Sequence, residues 1–507
     1  MNKIINLSLV SFILISSTLL SFYFSIYNQD FHHWSIIMNY YLDLKNEFTP
    51  FNEIYLQYGL GQPLFFLFLD KIIEINIVTI GFLTGLFYAT NLLLVYLIAK
   101  KFLNSLESLL LLLIVFSVHP FIVYPWPDYL AGLSLTASLF IFINSKKKLN
   151  LFVAALFLNL SYFFRTSYLV NINLFIFAIL IFNIYYFNSK KINKFVKFFY
   201  IIFTIHIIYL YINNSVFDWL YQGLFSIKDY AYGSNYKHMD KIISIVGDYG
   251  WLFLKFCKMF LRLMQNIFFT FKIENLVFTF FLLLNFYLFK FRRNFYKKNN
   301  EIIVLSILGS LGFIQSFMIF ESFRNINSTI LMTIPALYSL KFIKNKNINY
   351  IIISIFIFFS INLIFENIKK INTLKIENNY SFTKNNYFSN KKFTEENYEY
   401  YKKLENNICA SNKEIINTSF ELSLPYMCNI NYKKKFSPNM LSWIKFTDFN
   451  IHKKLVNKKI TDAEILITTE NVKSLNNIFK IKLPKDLKFF GWPHNSSSLY
   501  AYTARNN

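Results

Sequence analysis

Residues 7–34 read LSLVSFILISSTLLSFYFSIYNQDFHHW, an uncharged apolar run that ends in a polar group with Asp30, His32 and His33. The run from 7 to 26 is long enough to cross the roughly 30 Å hydrocarbon core of a bilayer. Lys3 precedes it and no small-residue cleavage site follows it. The stretch therefore predicts an uncleaved first membrane span, followed by a loop at the membrane surface.

Similar apolar runs recur over the first 365 residues and explain why 55% of the chain is hydrophobic and 20% aromatic. Soluble domains average roughly 45–50% apolar residues with glycine counted. The chain is therefore predicted to be an all-α polytopic membrane protein with about eleven transmembrane helices. The predicted spans are residues 7–26, 77–99, 106–124, 129–145, 149–164, 168–187, 197–213, 275–291, 301–320, 326–343 and 349–365.

The net charge of +24 lies largely in short clusters of Lys and Arg between these spans. Such clusters stay on the cytoplasmic side and contact anionic headgroups, so topology and membrane lipids explain the charge. Nucleic-acid binding is disfavoured because no basic stripe lies on a soluble fold. The clusters are Lys100 with Lys101, residues 146–148, Lys190 with Lys191 and Lys194, Arg292 with Arg293 and Lys297, and Lys341 with Lys344 and Lys346.

The opposite, outer side receives the loop 27–63, the turns 125–128 and 165–167, the stretch 214–250 and residues 321–325. This assignment requires residues 251–272 to lie in the membrane interface without crossing the bilayer. Lys255, Lys258 and Arg262 share one helical face there, and a helix with a cationic stripe prefers the interface plane. The C-terminus is then predicted to lie outside the cytoplasm.

The outer loop and the C-terminal part are both predicted to fold. Segments 35–44 and 63–75 are too short to span a bilayer and indicate juxtamembrane helices, joined by the turn YGLGQP at 58–63. After a connector at 366–400, residues 401–507 indicate a small α/β extracytoplasmic domain with strand-like runs at 413–420 and 463–469. An outer location would allow a disulfide between Cys409 and Cys428.

Ionisable residues at the outer span ends form the candidate site, because charges at membrane depth are costly and usually line a cavity or pathway. Asp30 and Asp128 are the candidate catalytic residues, since a carboxylate accepts the proton of an attacking hydroxyl. Arg165 and Arg324 are candidates for phosphate binding, because arginine grips phosphate with two donors. The other candidate substrate-binding residues are Glu321, His32, His33, Tyr58 and Gln62.

Each candidate also has a structural interpretation. Asp30 and Asp128 are also explained as helix caps, and Arg165 as a side chain that extends to the lipid headgroups. Glu321 is also explained as an ion-pair partner of Arg324. His32 and His33 point about 100° apart on a helix, which favours substrate hydrogen bonding over a metal site. No metal ligand is assigned, although a divalent cation stays open as a cofactor. The sequence contains no P-loop, dinucleotide-binding, HExxH or GxSxG pattern.

The order of these parts resembles the GT-C superfamily of membrane glycosyltransferases, which includes protein O-mannosyltransferases and lipid A aminoarabinose transferases. The matching stretches are Asp30 in NQDFHHW, the segment YLQYGLGQP at 55–63, and the arginine-led span RNINSTILMTIPAL at 324–337. The chain departs from the family in its second outer loop, where an adjacent acidic pair is expected and Asp128 stands without an acidic neighbour.

The resemblance implies sugar transfer from a polyprenyl-phosphate donor to a hydroxyl of a glycan, lipid or protein acceptor, at the outer face of a bacterial plasma membrane. Asp30 would deprotonate the acceptor, and attack at the anomeric carbon would invert its configuration. Two alternatives remain, a flippase or exporter of lipid-linked sugars and a surface-glycan polymerase or ligase. A transporter needs polar or charged residues near the middle of several spans, whereas the strong charges here lie at span ends.

Overall fold

The structure, a computed structural model, describes most of the membrane part and several segments of the C-terminal part. The described residues are 3–225, 250, 257, 280–281, 283–287, 300–312, 327, 330–343, 345–377, 379–382, 385–409, 411, 413–419, 421–428, 454, 456–483 and 498–504. The candidate residues Glu321 and Arg324 lie outside them, as does the predicted interfacial helix at 251–272 except for position 257.

The chain divides into two compact units, each built from separate stretches of sequence. The helical unit contains Met1–Ser21, Phe82–Leu210 and Tyr249–Ile371. The loop–tail unit contains Phe22–Gly81, Tyr211–Asp248 and Asn372–Asn507. The predicted first outer loop and the predicted C-terminal domain therefore belong to the same unit.

The secondary structure of the described residues is mainly helical. In chain order the helices are α1 (Lys3–Tyr27), α2 (Phe31–Lys45), α3 (Gly61–Leu69), α4 (Ile77–Ala99), α5 (Ser105–Val118), α6 (Asp128–Asn144), α7 (Lys148–Phe164), α8 (Tyr168–Phe182), α9 (Lys190–Ile212), α10 (Val216–Leu220), α11 (Asn300–Leu311), α12 (Thr333–Leu340), α13 (Lys346–Glu377), α14 (Glu395–Leu404) and α15 (Leu424–Met427). The strands are β1 (Glu414–Asn417), β2 (Glu464–Thr468), β3 (Asn476–Lys482) and β4 (Ser498–Thr503).

Several of these helices have the length and composition of membrane spans. Within the described residues, five are long and apolar enough to cross a bilayer, namely Ile4–Tyr27, Ile77–Ala99, Tyr168–Phe187, Lys190–Ile212 and Asn347–Lys375. Five shorter apolar helices are Ser105–Val118, Asp128–Asn144, Lys148–Phe164, Asn300–Leu311 and Ile330–Leu340. Each of them overlaps a predicted span, and the helical, membrane-embedded class is confirmed. The count of eleven spans stays a prediction.

Small residues allow α1 and α4 to approach closely. A Cβ atom on Gly85 would lie 2.5 Å from the Cβ of Ser21, and one on Gly81 would lie 2.2 Å from the Cβ of Ser25. Both serines are fully buried. Because lipid removes the hydrophobic drive between membrane helices, such close packing of small residues is a main source of their association.

One end of the helical unit collects the lysine-rich turns. The Lys101 ammonium donates to the carbonyl of Ile143 at 3.0 Å and pairs with Glu301 at 3.6 Å. The Lys341 ammonium pairs with Glu107 at 3.0 Å. These contacts join the turns after α4 and α12 to the last turn of α6 and to the first turns of α5 and α11. The sequence assigns these turns to one side of the membrane, and the structure brings them together.

The loop–tail unit contains the small sheet that the sequence predicts for the C-terminal part. The strand order is β1-β2-β4-β3, with β1 and β2 parallel and the other pairs antiparallel. β1 and β2 fall within the predicted strands at 413–420 and 463–469. Ile416, Leu466 and Tyr502 belong to the core cluster beside this sheet.

Several of the predicted boundaries differ from the structure. The juxtamembrane helix predicted at 63–75 lies at Gly61–Leu69, and the span predicted at 106–124 ends as α5 at Val118. The juxtamembrane helix predicted at 35–44 begins earlier, at Phe31, because the side chain of Asp30 caps it. The span predicted to end at 365 continues as α13 to Glu377. The predicted connector at 366–400 therefore includes the last turns of α13 and the beginning of α14.

Cys409 and Cys428 form a disulfide in the loop–tail unit, at a sequence separation of 19 residues. The bond links the π-helical turn Glu405–Cys409, which follows α14, to the residue directly after α15. A closed loop of this length restricts the unfolded chain, and the chain-entropy model assigns such loops about 3 kcal/mol of stabilisation.

We expect replacement of both Cys409 and Cys428 by Ser to lower the free energy of unfolding of the loop–tail unit by about 3 kcal/mol. Chemical denaturation of the detergent-solubilised protein, with and without reductant, measures this change. Cys257→Ser removes a free cysteine and serves as the control, with an unchanged midpoint. Equal midpoints for the double variant and the wild type would contradict a stabilising role of the bond.

Candidate functional site

Asp30 lies directly after the first membrane helix and caps the next one. Its Oδ1 atom accepts a hydrogen bond from the backbone N–H of His33 at 3.1 Å, which satisfies one free donor of the first turn of α2. Its Oδ2 atom lies 2.6 Å from Nδ1 of His33. The Asp30 N–H in turn donates to Oδ1 of Asn28 at 3.2 Å. One polar cluster therefore holds both the backbone and the carboxylate of Asp30.

The Asp30 carboxylate sits in an environment that favours its charged form. Burial raises the pKa of Asp30, but the hydrogen bond from His33 and the charges of His33 and His32 outweigh this effect. The resulting pKa lies below the usual value for an aspartate. The side chains of Asp30 and His33 are 21% and 23% exposed, so solvent or a substrate reaches both.

The neighbouring histidines were predicted to hydrogen-bond substrate. The rings of His32 and His33 stand edge to face with centroids 5.1 Å apart. Within the described part of the chain, no three His, Cys, Asp or Glu side chains are grouped as metal ligands. The ordered feature at this position is the pair formed by Asp30 and His33.

A short segment of the C-terminal part, residues 391–397, wraps against the Asp30 loop, and we call it the tail strap. The Lys392 N–H donates to the carbonyl of Ile26 at 2.9 Å. Nε2 of Gln29 donates to the Lys392 carbonyl at 2.9 Å. Oε1 of Gln29 accepts from Nδ2 of Asn397 at 2.9 Å and from the Thr394 N–H at 3.3 Å. Gln29, the residue before Asp30, thus binds the strap through both the nitrogen and the oxygen of its side-chain amide.

Lys391 is the buried cation of the tail strap. Its side chain is 1% exposed, and its ammonium donates to the carbonyl of Ser25 at 2.7 Å. The ammonium lies 5.3 Å from the ring centroid of Phe31 and 5.7 Å from that of Trp34. Burial lowers the pKa of Lys391, and the Asp30 carboxylate opposes that shift. A cation on the last carbonyls of α1 also complements the negative end of that helix.

Asp128 and Arg165 form an ion pair in the helical unit. Nε of Arg165 lies 3.4 Å from Oδ2 of Asp128, and both side chains are largely buried. Asp128 begins α6 and Arg165 follows the last residue of α7, so each charge complements the partial charge of its own helix end. The structure therefore joins two predicted site residues, and the same geometry also explains them as a link between antiparallel helices.

The remaining candidates are Tyr58, Gln62, Glu321 and Arg324. Tyr58 is buried, and its ring lies edge to face against Tyr40 at 6.3 Å. Gln62 is fully buried in the first turn of α3. Glu321 and Arg324 lie outside the described residues.

Lys391 and Gln29 were not predicted from the sequence. Their partners are distant along the chain, with a sequence separation of 366 for Lys391 and Ser25 and of 363 for Gln29 and Lys392. No local pattern signals a contact of this kind. A signal was available in the tail itself, where the aromatic residues that surround Lys391 crowd into a segment otherwise dominated by Asn, Lys and Glu.

No protein-family model matches the chain, and a comparison with curated proteins finds no match. The function of the chain is therefore inferred from its sequence and from the geometry of the described residues.

We expect Gln29→Ala to loosen the tail strap. The change removes three hydrogen bonds to the strap, each with a net contribution of about 1 kcal/mol. Hydrogen exchange at residues 391–397, followed by mass spectrometry, should accelerate on the order of tenfold or more.

Gln222→Ala is the matched control for that experiment. Gln222 bridges two backbone groups in the same manner, donating to the Phe51 carbonyl at 2.7 Å and accepting from the Leu56 N–H at 2.7 Å. Its removal should accelerate exchange at residues 51–56 and leave the strap unchanged. Identical exchange of the strap in Gln29→Ala and wild type would show that Gln29 does not hold it.

Proposed function

We propose that the chain is a membrane glycosyltransferase of the GT-C type. It transfers a sugar from a polyprenyl-phosphate donor to a hydroxyl acceptor on the outer face of the bacterial plasma membrane. The observation that carries the proposal is the ordered, partly exposed carboxylate of Asp30, three residues after the last residue of the membrane helix α1. A lipid-linked donor presents its sugar at this depth, next to the end of a membrane helix.

The proposed chemistry is a single displacement. The acceptor hydroxyl loses its proton to the site around Asp30, and its oxygen attacks the anomeric carbon. The polyprenyl phosphate leaves with the electrons of the broken bond, so the configuration inverts. Arg165 and Arg324 are the proposed phosphate-binding residues, since a guanidinium stabilises a phosphate leaving group. Asp128 is the proposed second acidic residue, and its ion pair with Arg165 supports that role.

The proposed topology places the lysine-rich turns in the cytoplasm and the loop–tail unit outside. The contacts of Lys101 and Lys341 support this side assignment, because they gather the basic turns at one end of the helical unit. The disulfide between Cys409 and Cys428 supports it independently, because such bonds persist in oxidising compartments outside the cytoplasm.

A flippase or exporter of lipid-linked sugars is the main alternative. Such a protein is expected to place its substrate site near the middle of broken helices. Among the described helices, the Asp128–Arg165 pair and the Lys101 and Lys341 contacts all lie at helix ends. This distribution favours an enzyme with its site at the membrane surface.

We expect Asp30→Asn to remove sugar transfer while the protein still folds. Asparagine also accepts the backbone N–H of the first helical turn, so α2 keeps its cap. Loss of the acidic group should lower the rate by about 10²–10⁴-fold. The assay incubates membranes containing the protein with a panel of radiolabelled polyprenyl-phosphate sugars and follows which label moves and onto what.

Asp70→Asn provides a matched control for that assay. Asp70 is an acidic residue of the same loop–tail unit that pairs with Lys45 at 2.8 Å. Its replacement should leave transfer within a few-fold of wild type. A wild-type rate in Asp30→Asn would exclude the assigned role of the carboxylate.

We expect the tail to be reachable from outside the cell. In a Cys257→Ser background, an engineered cysteine at the exposed Lys459 should react with a membrane-impermeant maleimide in intact cells. An engineered cysteine at the exposed Lys147, in a lysine-rich turn, should react after the membrane is permeabilised and not before. The reverse pattern would overturn the side assignment.

A further inference from the structure

The Asp30 carboxylate uses both of its oxygen atoms on one residue. Oδ1 accepts a hydrogen bond from the backbone N–H of His33 at 3.1 Å. Oδ2 accepts a hydrogen bond from the ring nitrogen Nδ1 of the same residue at 2.6 Å. This geometry fixes the carboxylate against the first turn of α2 and aligns the imidazole with it. A carboxylate whose pKa is lowered by such bonds is also a weaker base than an ordinary aspartate.

The hydrogen bond to Nδ1 determines the chemistry of the other ring nitrogen. When Nδ1 carries the proton that is donated to a carboxylate, the lone pair of the neutral ring lies on Nε2. A carboxylate behind Nδ1 then stabilises the imidazolium that forms when Nε2 takes a proton. Asp30 caps α2 and His33 lies in the first turn of that helix, and this capping geometry brings the two side chains together.

We propose that His33 is the group that takes the proton of the acceptor hydroxyl, through Nε2, and that Asp30 orients the ring and stabilises its charged form. This inference rests on the proposed function and changes the identity of its base. The O–H bond of the acceptor breaks and its proton moves to Nε2. The oxygen lone pair forms the bond to the anomeric carbon, and the carbon–phosphate oxygen bond breaks with its electrons on the phosphate.

The surrounding groups hold this arrangement. Asn28 fixes the backbone of Asp30, and Gln29 fixes the same loop to the tail strap. The charged and titratable groups that the structure places around Asp30 are His32 and His33 on α2 and Lys391 on the tail strap. The hydrogen bonds from His33 and the charges of His33 and His32 favour the ionised Asp30 carboxylate, which is the form that orients the imidazole.

The test uses the full-length protein in membranes, with the polyprenyl-phosphate sugar whose label the wild type transfers. His33→Asn keeps a donor near the position of Nδ1 and a backbone N–H for Asp30, so the cap and fold are retained while Nε2 is removed. We expect kcat to fall by at least about 100-fold. His32→Gln should change KM and keep the pH profile of kcat.

The pH profile separates a proton acceptor from a structural residue. An imidazole base and a carboxylate base are protonated in different pH ranges, and the lowered pKa of Asp30 widens that difference. We expect the wild type and His32→Gln to lose kcat toward acid pH through an acid limb that the residual rate of His33→Asn lacks.

Two contrary results are distinguishable. A wild-type kcat and acid limb in His33→Asn, with label still transferred, would overturn the role of His33 and leave the glycosyltransferase proposal intact. A wild-type protein that moves no label from any donor of the panel would overturn the proposed function itself, and with it the assignment of His33.

Discussion

The hydrogen bonds between Asp30 and His33 are the interaction on which the candidate site depends. The membrane helix α1 ends at Tyr27, and α2 begins at Phe31. The short connection between them therefore passes from lipid into water. The first N–H groups of a helix need acceptors, and the Asp30 side chain supplies one. The same carboxylate holds an imidazole at its second oxygen, so a structural requirement of α2 also positions an acid–base pair.

The C-terminal part packs against the Asp30 loop within the same compact unit. The tail strap covers the last turn of α1 with the Lys391 ammonium and binds the Asp30 loop through Gln29. Further along α2, Nδ2 of Asn39 donates to the carbonyl of Leu422 and its Oδ1 accepts from Tyr387 at 3.0 Å. Asp43 accepts a hydrogen bond from Tyr426. Successive turns of α2 are therefore bound by different segments of the tail.

The sequence predicted the parts that local composition encodes. Long uncharged runs gave α1 and α4 within a few residues, because the thickness of the bilayer sets the length of such runs. Short β-branched runs gave β1 and β2 for a similar reason, since their side chains fill the buried faces of a sheet. Asp30 was identified as a candidate from its position after a span, and His33 as a candidate substrate-binding residue in the same polar group.

The parts that were not predicted depend on contacts between distant segments. The ion pair of Asp128 and Arg165 joins two residues that the sequence placed on the same side but did not pair. Lys391 and the tail strap were assigned to a connector, because their composition is polar and their partners lie more than 360 residues away. The roles of Arg324 and Glu321 in substrate binding remain predictions from the sequence.

Polar groups buried within the tail add to the aromatic contacts that Phe31 of α2 makes with Phe388, Phe393 and Tyr401. Glu421 is buried, and Tyr400 and Ser423 donate hydrogen bonds to its carboxyl group. Burial raises the pKa of Glu421 in spite of these bonds, which favours a neutral carboxyl at this position. A buried polar group without a hydrogen-bond partner is costly. The hydrogen bonds of this network therefore favour one arrangement of the side chains over others that would break them. The residue after Glu421, Leu422, accepts a hydrogen bond from Asn39, so this buried network adjoins α2, the helix that Asp30 caps.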